Sequence, residues 1–155
     1  MPLTVLHLED SESDALLLRE AFAASGCDVK LKQFNRAALA LVELYAHGAD
    51  LVVLDLLLAG DDRGLIVNEL EVSPRLRRIP VVVLTDSQLP AQELVPQAVR
   101  YDSKPPAFEG WMDLARGYAQ LALDRRGANG SRRVSRKVRG QGPRKGSGAL
   151  HSRPH

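Results

Sequence analysis

Cysteine is almost missing from this chain: Cys27 stands alone among 155 residues. An intramolecular disulfide and any cysteine-based metal cluster are thereby excluded. Long apolar runs are lacking too. A stretch such as Leu51–Leu54 is stopped by Asp55, far short of the roughly 20 residues a membrane-spanning helix needs. The opening MPLTVLHLED shows neither a basic segment nor a small-residue cleavage site, so no secretory signal is expected and the chain reads as cytoplasmic, without a membrane partner. Acidic residues, finally, are absent from the last 31 positions. Residues 1–124 carry all 19 Asp and Glu with 11 of the 21 Lys and Arg, a net charge of −8, whereas residues 125–155 carry the other 10 basic residues, a charge of +10. The overall +2 describes neither part.

What is present is a regular alternation. Apolar, β-rich runs lie at Leu3–Leu8, Val29–Phe34, Leu51–Leu54, Val81–Leu84 and Val99–Ser103. Between and after them come helical spacings: Ala15 to Ala23, closed by Gly26; Ala37 to Tyr45, closed near Gly48; a short one around Leu65 to Val72; and a long amphipathic one from Phe108 to Leu123. Pro90 and Pro96 bracket the remaining segment, so a fourth helix there should be short, irregular or absent. Five alternations of strand and helix demand right-handed crossovers, giving an α/β fold: a doubly wound, five-stranded parallel sheet with helices on both faces. Residues 1–124 form this domain. Residues 125–155, with only Val134, Val138 and Leu150 as large apolar residues, cannot build a core and are expected to be a basic, disordered tail.

Ligands of such sheets sit at the carboxyl ends of the strands. Strand one ends at Glu9-Asp10, strand three at Asp55, strand four at Thr85, and strand five at Ser103-Lys104. Three carboxylates brought together call for a cation, and all-oxygen ligands with open positions suit Mg²⁺ or Mn²⁺. A lysine and a hydroxyl beside them can bind the oxygens of a transferred phosphoryl group. An ionised aspartate there can act as nucleophile and form an acyl phosphate. Taken singly, each residue has an ordinary reading: a helix-entry pair for Glu9-Asp10, a turn residue for Asp55, an exposed lysine for Lys104. Their joint placement at successive strand ends points to metal-dependent phosphoryl transfer to Asp55.

These segments, VLHLEDSESDALLL, LVVLDLLLAGDDRG, RIPVVVLTDS and YDSKPP, resemble the receiver domains of bacterial two-component response regulators, a flavodoxin-like (βα)5 family. LHLEDSESDALLLREAF and RLRRIPVVVLTDS further resemble the small single-domain regulators paired with bacteriophytochrome histidine kinases. The resemblance implies that Asp55 is the phospho-acceptor, with a kinase phosphohistidine as donor. It implies that Glu9, Asp10 and Asp55 hold Mg²⁺ with the backbone carbonyl of Leu57, and that Thr85 and Lys104 bind the phosphoryl group. Tyr101 matches an aromatic switch that swings inward when Thr85 moves. Such a protein relays its state through protein contacts and is not an enzyme beyond accepting, and slowly hydrolysing, its own phosphoryl group.

The chain departs from the family pattern in three places, the first being Leu57 at the position whose backbone carbonyl completes metal binding, a role that needs only a carbonyl. The loop from Asp55 to Gly64 is longer by one residue and has Ala59-Gly60 where a proline is customary. Thr85 and Lys104 are only 19 residues apart, which shortens the fourth-helix region. Two other functions stay open: a scaffold that binds its partner without phosphorylation, and a nucleic-acid binder whose tail holds polyanions non-specifically and in a salt-dependent way. A metallophosphatase is disfavoured, since Leu57 stands where a general acid would be. Elsewhere, His7 reads as a satisfied core histidine, His47 as a helix C-terminal residue, and Cys27 as inert. Trp111 and Tyr118, seven apart on the last helix, read as core or homodimer packing.

Overall fold

In the computed structural model, residues 1–128 are described. They divide into a first unit, Met1–Leu123, and the start of a second, Asp124–His155. The first unit runs β1 (Leu3–Leu8), α1 (Glu12–Ala24), β2 (Val29–Phe34), α2 (Ala37–His47), β3 (Leu51–Leu54), α3 (Asp62–Val72), β4 (Val81–Leu84), α4 (Ala91–Leu94) and β5 (Arg100–Asp102). It closes with α5, whose residues 108–123 belong to this unit and whose helical stretch runs on to residue 128. All strand pairs are parallel, in the order β2-β1-β3-β4-β5. The chain winds one way from β1 to β2 and the other way from β3 onward, so the crevice between β1 and β3 is where the order reverses.

The purely apolar strands β3 and β4 are buried on both faces, as central parallel strands must be. One face carries Leu6, Leu8, Val52, Leu54, Val81 and Val83 against Ala40 and Leu44 of α2 and Ile66 and Leu70 of α3. The other carries Val5, Leu51, Val53, Val82 and Leu84 against Leu18 and Phe22 of α1 and Trp111 and Tyr118 of α5.

Four expectations are corrected or narrowed. First, α3 begins at Asp62, not near Leu65, because the Asp62 carboxylate is anchored: Arg36 Nε (2.8 Å) and the Ala37 backbone N–H (2.9 Å) both donate to it. Second, β5 is shorter than Val99–Ser103. Third, residues 125–128, assigned to the tail, are helical, as suits a stretch opened by two arginines, good helix formers. The rest of the tail lies outside the described residues. Fourth, of the two readings of Trp111 and Tyr118, core or homodimer packing, the core one holds, since both are buried against the sheet. The fourth helix is short, four residues between Pro90 and Pro96. Among the described residues no helix is long and apolar enough to cross a membrane.

Tyr118 ties α5 to β5: its hydroxyl donates to Asp102 Oδ2 at 2.8 Å, and Arg100 lies over its ring at 5.4 Å. Burial, reinforced by the Asp102 charge, raises the phenol above its ordinary pKa, so it stays a neutral donor. Tyr118→Phe should cost about 1 kcal/mol, the net worth of one buried hydrogen bond, in urea unfolding at pH 7.

Candidate functional site

The strand ends converge as the sequence suggests, around one ammonium group. Lys104, two residues past β5, places Nζ 2.7 Å from Asp55 Oδ2, 2.7 Å from Asp14 Oδ2 and 3.0 Å from Glu9 Oε1. Asp55 follows β3 directly; its backbone N–H donates to the Leu8 carbonyl (3.1 Å), which pins it at the β1–β3 crevice. Its Oδ1 accepts from the Thr85 hydroxyl (2.5 Å) and from the Leu57 backbone N–H (3.0 Å). Thr85 is held in turn, its backbone N–H donating to the Asp102 carbonyl (3.0 Å) and its Oγ1 accepting from Ser87 N–H (3.1 Å). Every oxygen of the Asp55 carboxylate is thus engaged, and the residue is 1% exposed.

Burial would raise the Asp55 carboxyl, but hydrogen bonds from Glu9, Leu57, Lys104 and Thr85 outweigh it and hold its pKa below the ordinary aspartate value. Glu9 bears the opposite shift. Burial first, then the hydrogen bond and charge of Asp55, push it up to about 7, against the pull of Lys104 and the Ser11 N–H. Lys104 is held above the ordinary lysine value by Asp14, Asp55 and Glu9 although burial works the other way. The cluster therefore keeps an anionic Asp55, a cationic lysine and a Glu9 that surrenders its proton near neutrality.

A carboxyl whose folded pKa lies above its unfolded value binds extra protons in the native state, so its contribution to stability is lost as pH rises through the folded pKa. Glu9→Gln should therefore gain stability relative to the parent as pH rises from about 4.5 to about 7. Thermal melting of both proteins across that window checks it, and a pH-independent difference would contradict the assignment.

The expected residues are not all gathered. Asp10 is exposed and lines, with Glu9, a neighbouring cleft between α1 and the end of β2. The Leu57 side chain is 52% exposed; its amide, rather than its carbonyl, is the group that touches Asp55. Tyr101 is half-buried against the α2–α3 core, its hydroxyl donating to the Val95 carbonyl at 2.5 Å. His7 is fully buried, and Gln33 Nε2 lies 3.1 Å from its Nδ1. Burial, with the Lys104 charge, pushes its pKa down to about 3, so it stays neutral. His47 does end α2, with Nδ1 2.8 Å from Glu43 Oε2.

Asp14 is the participant that sequence reasoning missed. Its signal was present: Ser11 caps α1, accepting from Asp14 N–H at 3.2 Å, and a serine followed three residues later by an acid marks a helix start whose first turn faces the end of β1.

Among the described residues no three His, Cys, Asp or Glu side chains stand close enough to enclose an ion as they are. The donor chemistry nonetheless fits a hard divalent cation. Glu9 and Asp55 already share the positive charge of Lys104, and Asp10, next in sequence to Glu9, adds an exposed carboxylate.

No protein-family model matches the chain. Among curated proteins it is 34% identical over 93 residues to the response regulator Rcp1 of Synechocystis sp., covering 56% of this chain and 63% of that one. Over 92 residues it is 35% identical to a probable methanogenesis regulatory protein of Methanothrix harundinacea, covering 59% of it. The match thus spans about three fifths of each curated relative. Among solved structures, the phosphorylated cyanobacterial phytochrome response regulator RcpA matches with a TM-score of 0.67 and 26% identity, over 79% of this chain and 95% of that one. The Mn²⁺-bound form of Rcp1 matches with a TM-score of 0.62 and 29% identity, over 75% and 91%. The chain has the fold of response-regulator receiver domains, and in both sequence and structure it is similar to response regulators, a cyanobacterial phytochrome response regulator among them.

Proposed function

We propose that this chain accepts a phosphoryl group on Asp55, with Mg²⁺ as cofactor, from a phosphohistidine of a sensor histidine kinase, one of phytochrome type. The observation that carries the reading is the set of hydrogen bonds on the Asp55 carboxylate from Thr85, Leu57 and Lys104. Its relatives support it: one solved neighbour is a phosphorylated response regulator and another is Mn²⁺-bound.

The chemistry is one displacement. An ionised Asp55 oxygen forms a bond to phosphorus while the P–N bond to the donor imidazole breaks, its electron pair returning to the ring nitrogen. Thr85 and Lys104, now bonded to the carboxylate, turn to the phosphoryl oxygens. A cation held by Glu9, Asp10, Asp55 and the Leu57 carbonyl would neutralise charge on the transferring group. In this reading the protein catalyses nothing beyond its own phosphorylation and slow hydrolysis, and it works in the cytoplasm. Tyr101 serves as the switch, its tie to Val95 changing as Thr85 moves. The altered state then passes on through protein contacts, a homodimer among them.

Intact-protein mass spectrometry after incubation with acetyl phosphate, with and without Mg²⁺, tests the reading. A single Mg²⁺-dependent, base-labile phosphoryl adduct is expected. A folded protein that binds Mg²⁺ yet shows no adduct, even with a phosphorylated phytochrome-type kinase, would instead favour a phosphorylation-independent scaffold.

A further inference from the structure

The first turn of α1 contains a capping arrangement that is only half made. Ser11 Oγ accepts from Asp14 N–H, but Ser11 N–H, the usual partner of the acid three residues on, donates to Glu9 Oε2 at 3.2 Å. Asp14 is thereby released from the helix end and reaches Lys104 at 2.7 Å. Of the three carboxylates on Lys104, Glu9 and Asp55 belong to the cation site proposed above. Asp14 does not.

We propose that Asp14 is a positioning residue, the counter-ion on which Lys104 rests when a divalent cation takes over Glu9 and Asp55; this rests on the metal-dependent reading above. Two cations compete for the same carboxylates. Lys104 Nζ lies within 3.0 Å of both Glu9 and Asp55, where a divalent ion would need those oxygens. The lysine must yield them without leaving the site, because the phosphoryl oxygens need it afterwards. Asp14, with a side chain 25% exposed and fixed at the helix start, gives it a partner outside the cation's ligand set. Without Asp14 the ammonium stays on Glu9 and Asp55 and opposes metal entry.

The test is Mg²⁺ titration by calorimetry on the full chain. Asp14→Asn should raise the Mg²⁺ dissociation constant roughly tenfold, within the range of coupling between groups in one ion network. Glu12→Gln, which removes the same charge from the same exposed turn, should change it less than about twofold. In a Lys104→Met background, Asp14→Asn should have no further effect, since there is no lysine left to hold. Acetyl-phosphate labelling of Asp14→Asn should need about tenfold more Mg²⁺ for half-maximal rate and reach the parental maximum. Equal shifts for Asp14→Asn and Glu12→Gln, or an undiminished Asp14 effect without Lys104, would overturn the proposal in favour of unspecific charge. If Lys104→Met does not melt cooperatively, the comparison with Glu12→Gln decides. A parent chain that binds no Mg²⁺ defeats the cofactor reading itself, and one that binds Mg²⁺ but is not labelled defeats only phosphoryl acceptance; the affinities of the variants still judge Asp14.

Discussion

Asp55→Asn should yield no phosphoryl adduct under conditions that label the parent to completion, a loss limited only by detection. The amide oxygen is a far weaker nucleophile than the carboxylate, and no other carboxylate can take its place. Glu9 is drawn toward the protonated form near neutrality, and Asp14 is paired with Lys104. The variant should fold, because Asn retains an acceptor for Thr85 and Leu57 and relieves the crowding with Glu9. That relief has its own signature. With Asp55 uncharged, the Glu9 pKa should move down from about 7 toward the ordinary glutamate range, since burial alone is left to hold it up. Carboxyl-resolved NMR titration reads this directly. An adduct of undiminished yield on Asp55→Asn would move the acceptor elsewhere and remove the phosphorylation reading.

Lys104→Met should be the most destabilising single change at the site, by about 3 kcal/mol at neutral pH, as expected when one partner of a buried ion network is removed. Its side chain is 7% exposed, and among the described residues it alone supplies positive charge within 3.0 Å of Glu9, Asp14 and Asp55. The loss should depend on pH in a known direction. Asp55 is held below its ordinary pKa partly by Lys104; a depressed carboxylate contributes stability that is present above the unfolded value and lost as pH falls. The gap between parent and variant should therefore be wide near pH 7 and shrink only below the ordinary aspartate value of 3.8, toward about pH 3. Millimolar Mg²⁺ should narrow it at neutral pH as well, by replacing the missing charge. Denaturant unfolding at the two pH values, with and without the ion, checks both statements. A gap unchanged by pH would mean that Lys104 acts by packing its methylenes rather than by charge.

The architecture was legible because its central strands are extreme. Leu51–Leu54 and Val81–Leu84 have no polar position, as suits central strands of a parallel sheet covered on both faces, and each is followed by a proposed site residue, Asp55 or Thr85. The short α4 was legible from Pro90 and Pro96. What escaped detection depends on contacts between segments far apart in sequence. Asp62 starts α3 early only because Arg36 and Ala37, 26 and 25 residues away, hold its carboxylate. Asp14 meets a lysine 90 residues on. Asp10, adjacent to Glu9 and chemically its equal, stays exposed while Glu9 is buried, a difference of orientation at the strand exit that composition cannot express.

One position with no side chain of its own is bound to the proposed site by shape. Lys104 is followed by Pro105, whose carbonyl accepts from Trp111 Nε1 at 3.1 Å, and the first turn of α5 lies so close that a Cβ on Gly110 would stand 2.5 Å from Pro105 Cβ. Even alanine at 110 must therefore push apart either the helix or the peptide that carries the lysine. In a population of natural variants, residue 110 should drift as little as the acids it never touches, while Glu109 beside it, exposed, is free to change.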